Sequence, residues 1–339
     1  MKLTLIDLRS KITKTFYDNG FNATDTARTV DYLLWAEMSG NKTQGLVKMT
    51  GTEPLQSIKP QYAPKIERDT QLSQLIDGGA NPAPVVASLG TETAIAKAKE
   101  YGFGIVGVRN TFSSNGAQAY YAEQIAKHDL IGIVCSRSPA ATAAFGSIDP
   151  VFGTNPLGYA FPTEDEPFVF DMATSAMTFY GLVLAKAKGE AIPENMAIDH
   201  NGQPTTDPSA AMQGALLPFD HSYKGSGLGM MVEMLAGPLL NGAWIDNKTL
   251  KEEWGSLFMA IDPNLLIDTA DFKKNASQMI RDILSARKAA DVSEIRLPGV
   301  RAKKNRQLAE ASGYIDVDDA IIAQLGYGTG PKIESNQEK

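Results

Sequence analysis

Four segments of the chain combine glycine with small polar residues, and such segments can present backbone N–H groups and hydroxyls to an anion. They lie at residues 111–116, 152–156, 170–175 and 223–226. Each also has a plain structural interpretation. The second segment is typical of a turn, and Asp171 in the third could cap the residues that follow it. Together, the four segments predict a binding site for an anionic ligand.

A few further side chains could act on a substrate or a proton. Arg137 could bind a carboxylate through a two-bond fork, and Lys48 could do so as a point charge. His221 lies three residues before Lys224 and could donate a proton, although it is equally typical of a loop. The single cysteine, Cys135, excludes a disulfide within the chain and a cysteine-based metal site. The three histidines are far apart in sequence, so we expect no metal.

The composition predicts a folded, acidic protein in which such residues can be positioned. With 339 residues, of which 43 % are hydrophobic, the chain is long and apolar enough for two domains with buried cores. A net charge of −7 disfavours nucleic acid and anionic lipid as partners. No apolar run reaches the roughly 18 residues that would span a bilayer, and the N-terminus has no secretory segment. We therefore expect a cytoplasmic protein that binds a small molecule, with no nucleic-acid or membrane partner.

Helical and strand-like spacing alternates along the chain, which is typical of the α/β class. Apolar periodicity predicts helices in the first fifty residues and over 89–99, 118–127, 173–188, 224–241 and 268–288. Short apolar runs predict strands over 105–108, 130–134, 158–161, 168–170 and 257–261. Residues 51–85 contain five prolines and should be extended or looped. No Gly-x-Gly-x-x-Gly lies between a strand and a helix, which disfavours a standard Rossmann module.

Longer motifs surround the four glycine-containing segments. They are Phe-Gly-Thr-Asn-Pro-Leu157, Phe-Asp-Met-Ala-Thr-Ser-Ala-Met177, Asn-Gly-Gln-Pro-Thr-Thr-Asp-Pro208, Gly-Ala-Leu-Leu-Pro-Phe219, and Lys-Gly-Ser-Gly-Leu228 followed by Met-Met-Val-Glu-Met-Leu-Ala236. In this order they resemble the malate/L-lactate dehydrogenase family, a non-Rossmann group of NAD(P)-dependent oxidoreductases. The resemblance runs from about residue 5 to 320. Residues 171–177 look most like the Δ1-piperideine-2-carboxylate/Δ1-pyrroline-2-carboxylate reductases.

The resemblance implies a fold and an assembly. The fold is the α/β, non-Rossmann NAD(P)-binding type of the L-sulfolactate and malate dehydrogenases. It has a mixed sheet, an N-terminal helical part and an inserted cofactor domain. The implied division is residues 1–47 for the helical domain, 48–121 with 288–339 for a central α/β domain, and 122–287 for the NAD(P)-binding domain. The implied assembly is a homodimer.

The resemblance also implies where NADP(H) or NAD(H) binds. The matching positions are Ser114, Asn115, Gly116, Ala117, Asp171, Met172, Ala173, Thr174, Lys224, Gly225, Gly299 and Arg301. A helix start and a glycine-rich loop would donate N–H groups to the pyrophosphate, and Lys224 would add a charge. The cluster of Arg301, Lys303, Lys304 and Arg306 could hold a 2′-phosphate and favour NADP, or form a solvated helix face.

The chain departs from the family where acid–base chemistry is expected. By resemblance, Thr43-Gln44-Gly45 stands where the family has Ser-His-Gly, whose histidine donates the proton. Gly181 stands where the imine reductases have a carboxylate, and Lys48 where the family has a substrate-binding arginine. A positioned acid is worth roughly 10²–10⁴-fold in rate. A glutamine amide does not ionise near neutral pH. An ordinary 2-hydroxy-acid dehydrogenase that uses the family's own acid is therefore disfavoured.

Three explanations stay open. The substrate could be an imine that binds already protonated, so that hydride transfer yields a neutral amine without an acid. Another residue could supply the proton, and the candidates are Lys48, Tyr120, Tyr121 and His221. The chain could also bind the cofactor as a catalytically impaired or regulatory family member.

The resulting hypothesis is an NAD(P)H-dependent oxidoreductase that transfers hydride to C2 of a small carboxylate-bearing imine or 2-oxo acid. Lys48 would hold the carboxylate, with Arg137 as a further candidate, and Thr154 would line the pocket. Thr43 and Gln44 would hydrogen-bond the C2 substituent. The alternatives are a cofactor-binding protein without efficient catalysis and a malate/lactate-like 2-hydroxy-acid dehydrogenase with a substituted proton donor.

Overall fold

The computed structural model describes residues 1–50, 54–245 and 254–326. The chain divides into two compact units. Unit 1 comprises Met1–Ser57 and Ala302–Lys339, and unit 2 comprises Ile58–Arg301. The finer division into three domains stays a prediction.

Unit 1 is mainly helical, as the spacing of the first fifty residues predicts. Leu8, Ile12 and Phe16 lie on one helical face and are buried. Thr4 caps the first helix by accepting the Asp7 N–H. The helices are α1 (Leu5–Asp18), α2 (Ala23–Met38), α9 (Val300–Ser312) and α10 (Asp319–Gln324), with short 3₁₀ helices at Leu46–Met49 and Leu55–Ser57. The first two residues of α9 belong to unit 2, and the helix belongs to unit 1 from Ala302 onward. A two-stranded antiparallel sheet, which the sequence did not predict, joins β1 (Lys2–Thr4) to β14 (Tyr314–Asp316).

Unit 2 is built on a seven-stranded mixed sheet in the order β2-β3-β4-β13-β5-β8-β9. Its strands are β2 (Lys65–Asp69), β3 (Ser73–Asp77), β4 (Phe103–Thr111), β5 (Ile131–Arg137), β8 (Leu157–Phe161), β9 (Phe168–Met172) and β13 (Trp254–Ile261). Only the β3–β4 pair in this sheet is parallel. In the register, Phe258 of β13 lies opposite Val106 and Val134.

Helices cover both faces of this sheet. The helices of unit 2 are α3 (Ala83–Tyr101), α4 (Gln118–Ala126), α5 (Phe179–Lys188), α6 (Pro208–Gln213), α7 (Tyr223–Ala236) and α8 (Thr269–Ser285), with 3₁₀ turns at Pro238–Leu240 and Pro263–Leu265. Phe258 faces α3 close to Gly90, while Leu257 packs with Val232 of α7. Since neighbouring residues of a strand point to opposite faces, α3 and α7 lie on opposite sides of the sheet.

A second sheet of five short strands has the order β11-β10-β12-β6-β7. Its strands are β6 (Thr142–Ala143), β7 (Pro150–Phe152), β10 (Ala197–Ile198), β11 (Pro204–Thr205) and β12 (Ala215–Leu216). Leu182 of α5 and Ala211 of α6 pack against Ala197 and Leu216 of this sheet in one apolar cluster.

The structure confirms the predicted alternation of strands and helices and corrects the start of one helix. The predicted helix over 173–188 begins only at Phe179. Residues before it form long-range backbone contacts, among them the Ala176 N–H donating to Leu217 O at 2.7 Å. Residues 51–85 are predicted to be extended or looped, and the described part of this range contains the paired strands β2 and β3. Residues 51–53 lie outside the described residues. Among the described residues, no helix has both the length and the apolar character needed to cross a membrane.

Candidate active site

The loop between β4 and α4 carries four of the predicted cofactor-binding residues. Gly116 has φ +84°, a left-handed conformation that favours glycine, and its N–H donates to the Ser114 hydroxyl at 3.0 Å. The Asn115 amide nitrogen donates to the Ser256 hydroxyl at 2.5 Å, inside the sheet. The Asn115 carbonyl accepts the Tyr121 hydroxyl at 2.9 Å. The side chain of Asn115 therefore anchors the loop, while Ser114 and Gly116 lie nearer its surface.

Asp171 caps a helix, but a different one from the turn that the sequence indicated. Its carboxylate accepts the N–H of Ala119, in the first turn of α4, at 3.1 Å. The N–H of Gln118 also favours the ionised form. Burial nevertheless dominates and raises the pKa of Asp171 from 3.8 to about 6. The start of α4, which we expected to donate N–H groups to a pyrophosphate, already donates to this carboxylate.

Thr154 and Thr174 are brought together by their backbones. The N–H of Thr174 donates to Thr154 O at 2.9 Å, and its hydroxyl donates to Asn155 O at 3.1 Å. On its other side, Thr174 O accepts the Phe219 N–H at 3.0 Å. Thr154 is half-buried. The second and third glycine-containing segments thus form one cluster, beside the segment that leads into α7.

A buried ion pair lies beneath the turn that carries Thr154. The Arg137 Nε contacts Glu233 Oε1 at 3.1 Å, and each side chain is 4 % exposed. The Asn155 amide donates to Glu233 Oε2 at 2.8 Å. Burial raises the pKa of Glu233, while Arg137 opposes that shift. Arg137 thus contacts the network that supports Thr154, and its role in binding a substrate stays a prediction.

Sequence reasoning missed Glu233, although one signal was present. It is the single charged residue in the apolar run 228–236 of α7. Because a carboxylate in such a run is buried only when it has partners, this position could have been identified as part of a polar network.

The first turn of α7 is capped from within the chain. Asp220 accepts the N–H groups of Ser222 and Gly225 at 3.0 and 3.1 Å, and the Ser222 hydroxyl accepts the N–H of Lys224. The N–H of Gly225 is therefore already used within the chain, and a role of Gly225 in binding the cofactor stays a prediction. His221 is exposed at a left-handed turn with φ +55°.

Two exposed cations stand near these loops without a carboxylate partner among the residues that the structure describes. They are Lys224 and Arg301. Gly299 has φ +77°, and a side chain there would collide with the Val169 carbonyl of β9, two residues before Asp171. Gly299 therefore lies against the strand that carries Asp171.

The residues of unit 2 fit an anionic dinucleotide. The two cations suit phosphate groups, and Gly227 leaves open space on α7 where a ligand could approach the backbone. The Ser113 hydroxyl is buried and has no hydrogen-bond partner within the described ranges, so it is available as a donor. The twelve predicted cofactor residues all lie in this unit.

The remaining predicted catalytic residues, Thr43, Gln44 and Lys48, lie in unit 1. Gln44 O accepts the Tyr32 hydroxyl at 2.9 Å. The side-chain oxygen of Gln44 is buried with no hydrogen-bond partner among the residues described. Lys48 lies on the 3₁₀ helix Leu46–Met49, and burial lowers its pKa from 10.5 to about 8.

Two other predicted groups have different surroundings from those expected. Arg306, assigned to a possible 2′-phosphate cluster, donates to the Ser39 hydroxyl at 2.9 Å, and its guanidinium lies 4.7 Å from the centre of the Trp35 ring. Those contacts hold it within unit 1. Tyr121, a candidate proton donor, is fully buried, with its hydroxyl bonded to Asn115 O.

Comparison with known proteins identifies the family. A family model described as malate/L-lactate dehydrogenase matches residues 3–326. The chain belongs to this family. The predicted family and the class of NAD(P)-dependent oxidoreductase acting on small carboxylates are thereby confirmed.

The relatives that are similar to this chain include both dehydrogenases and an imine reductase. The malate/(S)-sulfolactate dehydrogenase of Methanothermus fervidus is 34 % identical over 328 residues, which cover 94 % of each chain. The Δ1-pyrroline-2-carboxylate/Δ1-piperideine-2-carboxylate reductase of Pseudomonas putida is 32 % identical over 292 residues, or 82 % of each chain. The solved sulfolactate dehydrogenase of Methanocaldococcus jannaschii superposes with a TM-score of 0.79 at 29 % identity, covering 96 % of this chain and 95 % of that one. This superposition confirms the predicted fold type.

Proposed function

We propose that this family member reduces C2 of a small carboxylate-bearing imine, with NADPH or NADH as the hydride donor. The observation that carries the proposal is the side chain of Gln44. It has an amide that does not ionise, and its buried oxygen has no hydrogen-bond partner among the described residues. An acceptor oxygen in this place suits the N–H of a protonated imine.

The chemistry of the two substrate classes differs at the hydride step. Hydride transfer to a ketone produces an alkoxide, which needs a proton from a positioned acid. Hydride transfer to an iminium produces a neutral amine, so binding and orientation supply most of the rate. A glutamine can orient an iminium through its oxygen but cannot protonate an alkoxide. The preference for an imine follows from that difference.

Lys48 is proposed to hold the substrate carboxylate as a point charge, and Thr154 to line the pocket. Lys48 also supports a second candidate function. With its pKa lowered to about 8 by burial, it could donate a proton near neutral pH. In that case the chain would be a 2-hydroxy-acid dehydrogenase with Lys48 in place of the family's acid.

The dinucleotide supplies the hydride when it is bound. We propose that Lys224 and Arg301 hold its phosphate groups and that Ser113, Ser114 and Gly116 contact it from the loop before α4. The caps on α4 and α7 would keep those two helix starts rigid, since their N–H groups are bonded to Asp171 and Asp220. The backbone cluster of Thr154 and Thr174 would shape the adjoining wall.

A substrate panel tests the function. Purified protein is given NADPH or NADH together with cyclic imine carboxylates or with malate-type and lactate-type 2-oxo acids, and the nucleotide absorbance is followed. We expect consumption with the imines and slow consumption with the ketones. Brisk turnover of ketones alone would reject the imine preference. A Lys48→Met variant that loses ketone turnover while it keeps imine turnover would favour the second candidate, whereas loss of both would fit carboxylate binding.

A homodimer in the cytoplasm is proposed as the working form. Support for a dimer comes from α7, whose Met230, Met231 and Met234 are all exposed, with Met234 at 57 %. Light scattering on the purified protein measures the mass directly. A Met234→Glu variant should shift the mass toward the monomer if α7 forms the interface. The cytoplasmic location is proposed because a reduced nicotinamide dinucleotide must reach the enzyme, and fractionation of cells checks it.

A further inference from the structure

The end of helix α2 carries a carboxylate that contacts the backbone of the next segment. Glu37 is fully buried. Its Oε2 accepts the N–H of Leu46 at 3.0 Å, and its Oε1 pairs with Lys42 Nζ at 2.6 Å. Both contacts lie within residues 42–46, the segment that surrounds Thr43 and Gln44. Glu37 therefore holds this segment from both ends.

Gly45 lies directly against that carboxylate. A Cβ atom at this position would collide with Glu37 Oε2 and approach the backbone of Glu37. Gly45 O accepts the N–H of Lys48 at 3.0 Å, which starts the 3₁₀ helix. Gln44, on the other side of Gly45, is held through its carbonyl by the buried hydroxyl of Tyr32. Glu37 thus contacts the backbone at Gly45 and Leu46, which lie between Gln44 and Lys48 in the chain.

Burying this carboxylate is unfavourable unless its partners compensate for the lost hydration. One partner, Lys42, is half-exposed and bridges Glu37 to Asp316 O at 2.6 Å. The other is a backbone N–H whose direction fixes the first turn of the 3₁₀ helix. An apolar residue at position 37 could fill the space but could not accept that N–H.

We propose that Glu37 is a positioning residue. Its carboxylate sets the backbone of residues 43–48 so that the Gln44 amide and the Lys48 ammonium point in fixed directions toward the substrate. This inference rests on the proposed function for its catalytic consequence. The backbone contact itself can be measured in unit 1 without any substrate.

The first test is hydrogen exchange at the Leu46 amide, read by mass spectrometry or NMR. In the parent, the bond to Glu37 should make exchange slow. Glu37 uses both carboxylate oxygens, one for Lys42 and one for the Leu46 N–H. In Glu37→Gln one oxygen is replaced by an NH2 donor, so the two contacts cannot both be kept and the segment loosens. Exchange in peptides covering 43–48 should then be faster by roughly tenfold or more. Glu310→Gln removes one exposed carboxylate from the same unit and serves as the matched control, with exchange like that of the parent.

The second test separates positioning from general stability. We expect Glu37→Gln to lower kcat and raise KM for the substrate, with a combined loss of roughly 10- to 100-fold, because small misplacements of reacting groups are costly. The dissociation constant for NADPH, measured by fluorescence, should stay at the parent value, since its proposed contacts lie in unit 2. If Glu37→Gln folds poorly, two variants that keep Glu37 but disturb the same segment replace it. Gly45→Ala and Tyr32→Phe should also lower kcat and raise KM while the NADPH dissociation constant stays at the parent value.

The outcomes are distinct. Exchange at 43–48 that is equal in Glu37→Gln and Glu310→Gln overturns the proposal. So does parent-like kcat and KM in Glu37→Gln and Gly45→Ala, or a loss of NADPH affinity that parallels the loss of turnover. A parent protein that binds no dinucleotide overturns the proposed function instead, and the exchange result then decides the Glu37 contact by itself.

Discussion

The carboxylate of Asp171, on strand β9, accepts a hydrogen bond from the backbone N–H of Ala119 in the first turn of α4, at 3.1 Å. A strand residue therefore caps a helix through a residue that lies 52 positions earlier in the chain. The contact joins the third glycine-containing segment to the helix that follows the first, and it leaves a carboxylate with a raised pKa beside the proposed dinucleotide site. It makes the stability of unit 2 dependent on pH.

The first prediction concerns that dependence. The pKa of Asp171 is about 6 in the folded protein, against 3.8 ordinarily. The folded state therefore binds more protons than the unfolded state between these values. The free energy of unfolding contributed by Asp171 then falls as pH rises from about 4 to about 6 and stays low above that range. Asp171→Asn removes this titration. The free energy of unfolding of Asp171→Asn, measured relative to that of the parent, should therefore rise with pH. The rise should be at most about 3 kcal/mol, because one unit of pKa shift corresponds to roughly 1.4 kcal/mol.

Urea denaturation at pH 5 and pH 7.5 checks this prediction. Asp165→Asn, at an exposed aspartate, is the control and should keep a constant offset from the parent. A constant offset in Asp171→Asn as well would show that Asp171 is ionised at its ordinary pKa.

A second prediction follows from Lys48. Burial lowers its pKa to about 8, so it carries its charge below that pH and loses it above. If Lys48 holds the substrate carboxylate, KM should rise as pH increases through 8. Lys48→Arg should retain low KM up to the highest pH at which the protein is folded, because an arginine stays protonated. A KM for the parent that is flat from pH 6.5 to 9.5 would contradict the assignment.

The third prediction concerns the ion pair of Arg137 and Glu233. Removal of one partner leaves a buried charge unpaired, so Arg137→Met and Glu233→Gln should each lower the free energy of unfolding, by about 3–5 kcal/mol for the more severe change. The double variant should lose less than the sum of the two single losses. Chemical denaturation of the four proteins gives the coupling energy. Strict additivity would mean that the two side chains act independently.

Much of the fold follows from local sequence patterns. A comparison of helix α2 with residues 173–178 shows where local patterns no longer predict the structure. Helix α2 has a local cap, Asn22, and it lies within the first fifty residues, which the apolar spacing predicts to be helical. Residues 173–178 also have helical spacing, yet they pair with residues 154 and 217–218 instead. Backbone partners that are distant in sequence override local propensity there, and periodicity carries no information about them.

The same limit applies to the site. The glycine-containing segments and the substitution of Gln44 could be identified from residue types and from resemblance. The hydrogen-bond partners of Asp171, Asp220 and Glu37 could not be identified, because residue type and spacing do not show whether a carboxylate faces a ligand or a backbone N–H. The hydrogen bonds of the folded chain identify the partners in all three cases.

The last prediction restores the missing acid. Gln44→His places a group with a pKa near 6.5 at the position of the family's proton donor. Turnover of 2-oxo acids should then rise by roughly 10²-fold, the lower range for a positioned acid, while imine turnover gains less. Adding Gly181→Asp should increase the effect. That position lies in the first turn of α5, where a carboxylate is favourable, and the new Cβ would meet only the flexible end of Met177 and the Thr178 hydroxyl.

The measurement for these variants is the ratio of kcat/KM for 2-oxo acids to kcat/KM for imines. Gln44→Asn is the control, because it changes the size of the side chain without adding an acid. An unchanged ratio in both histidine variants, with NADPH binding intact, would show that the pocket is built for a reaction in which a proton donor at residue 44 has no part.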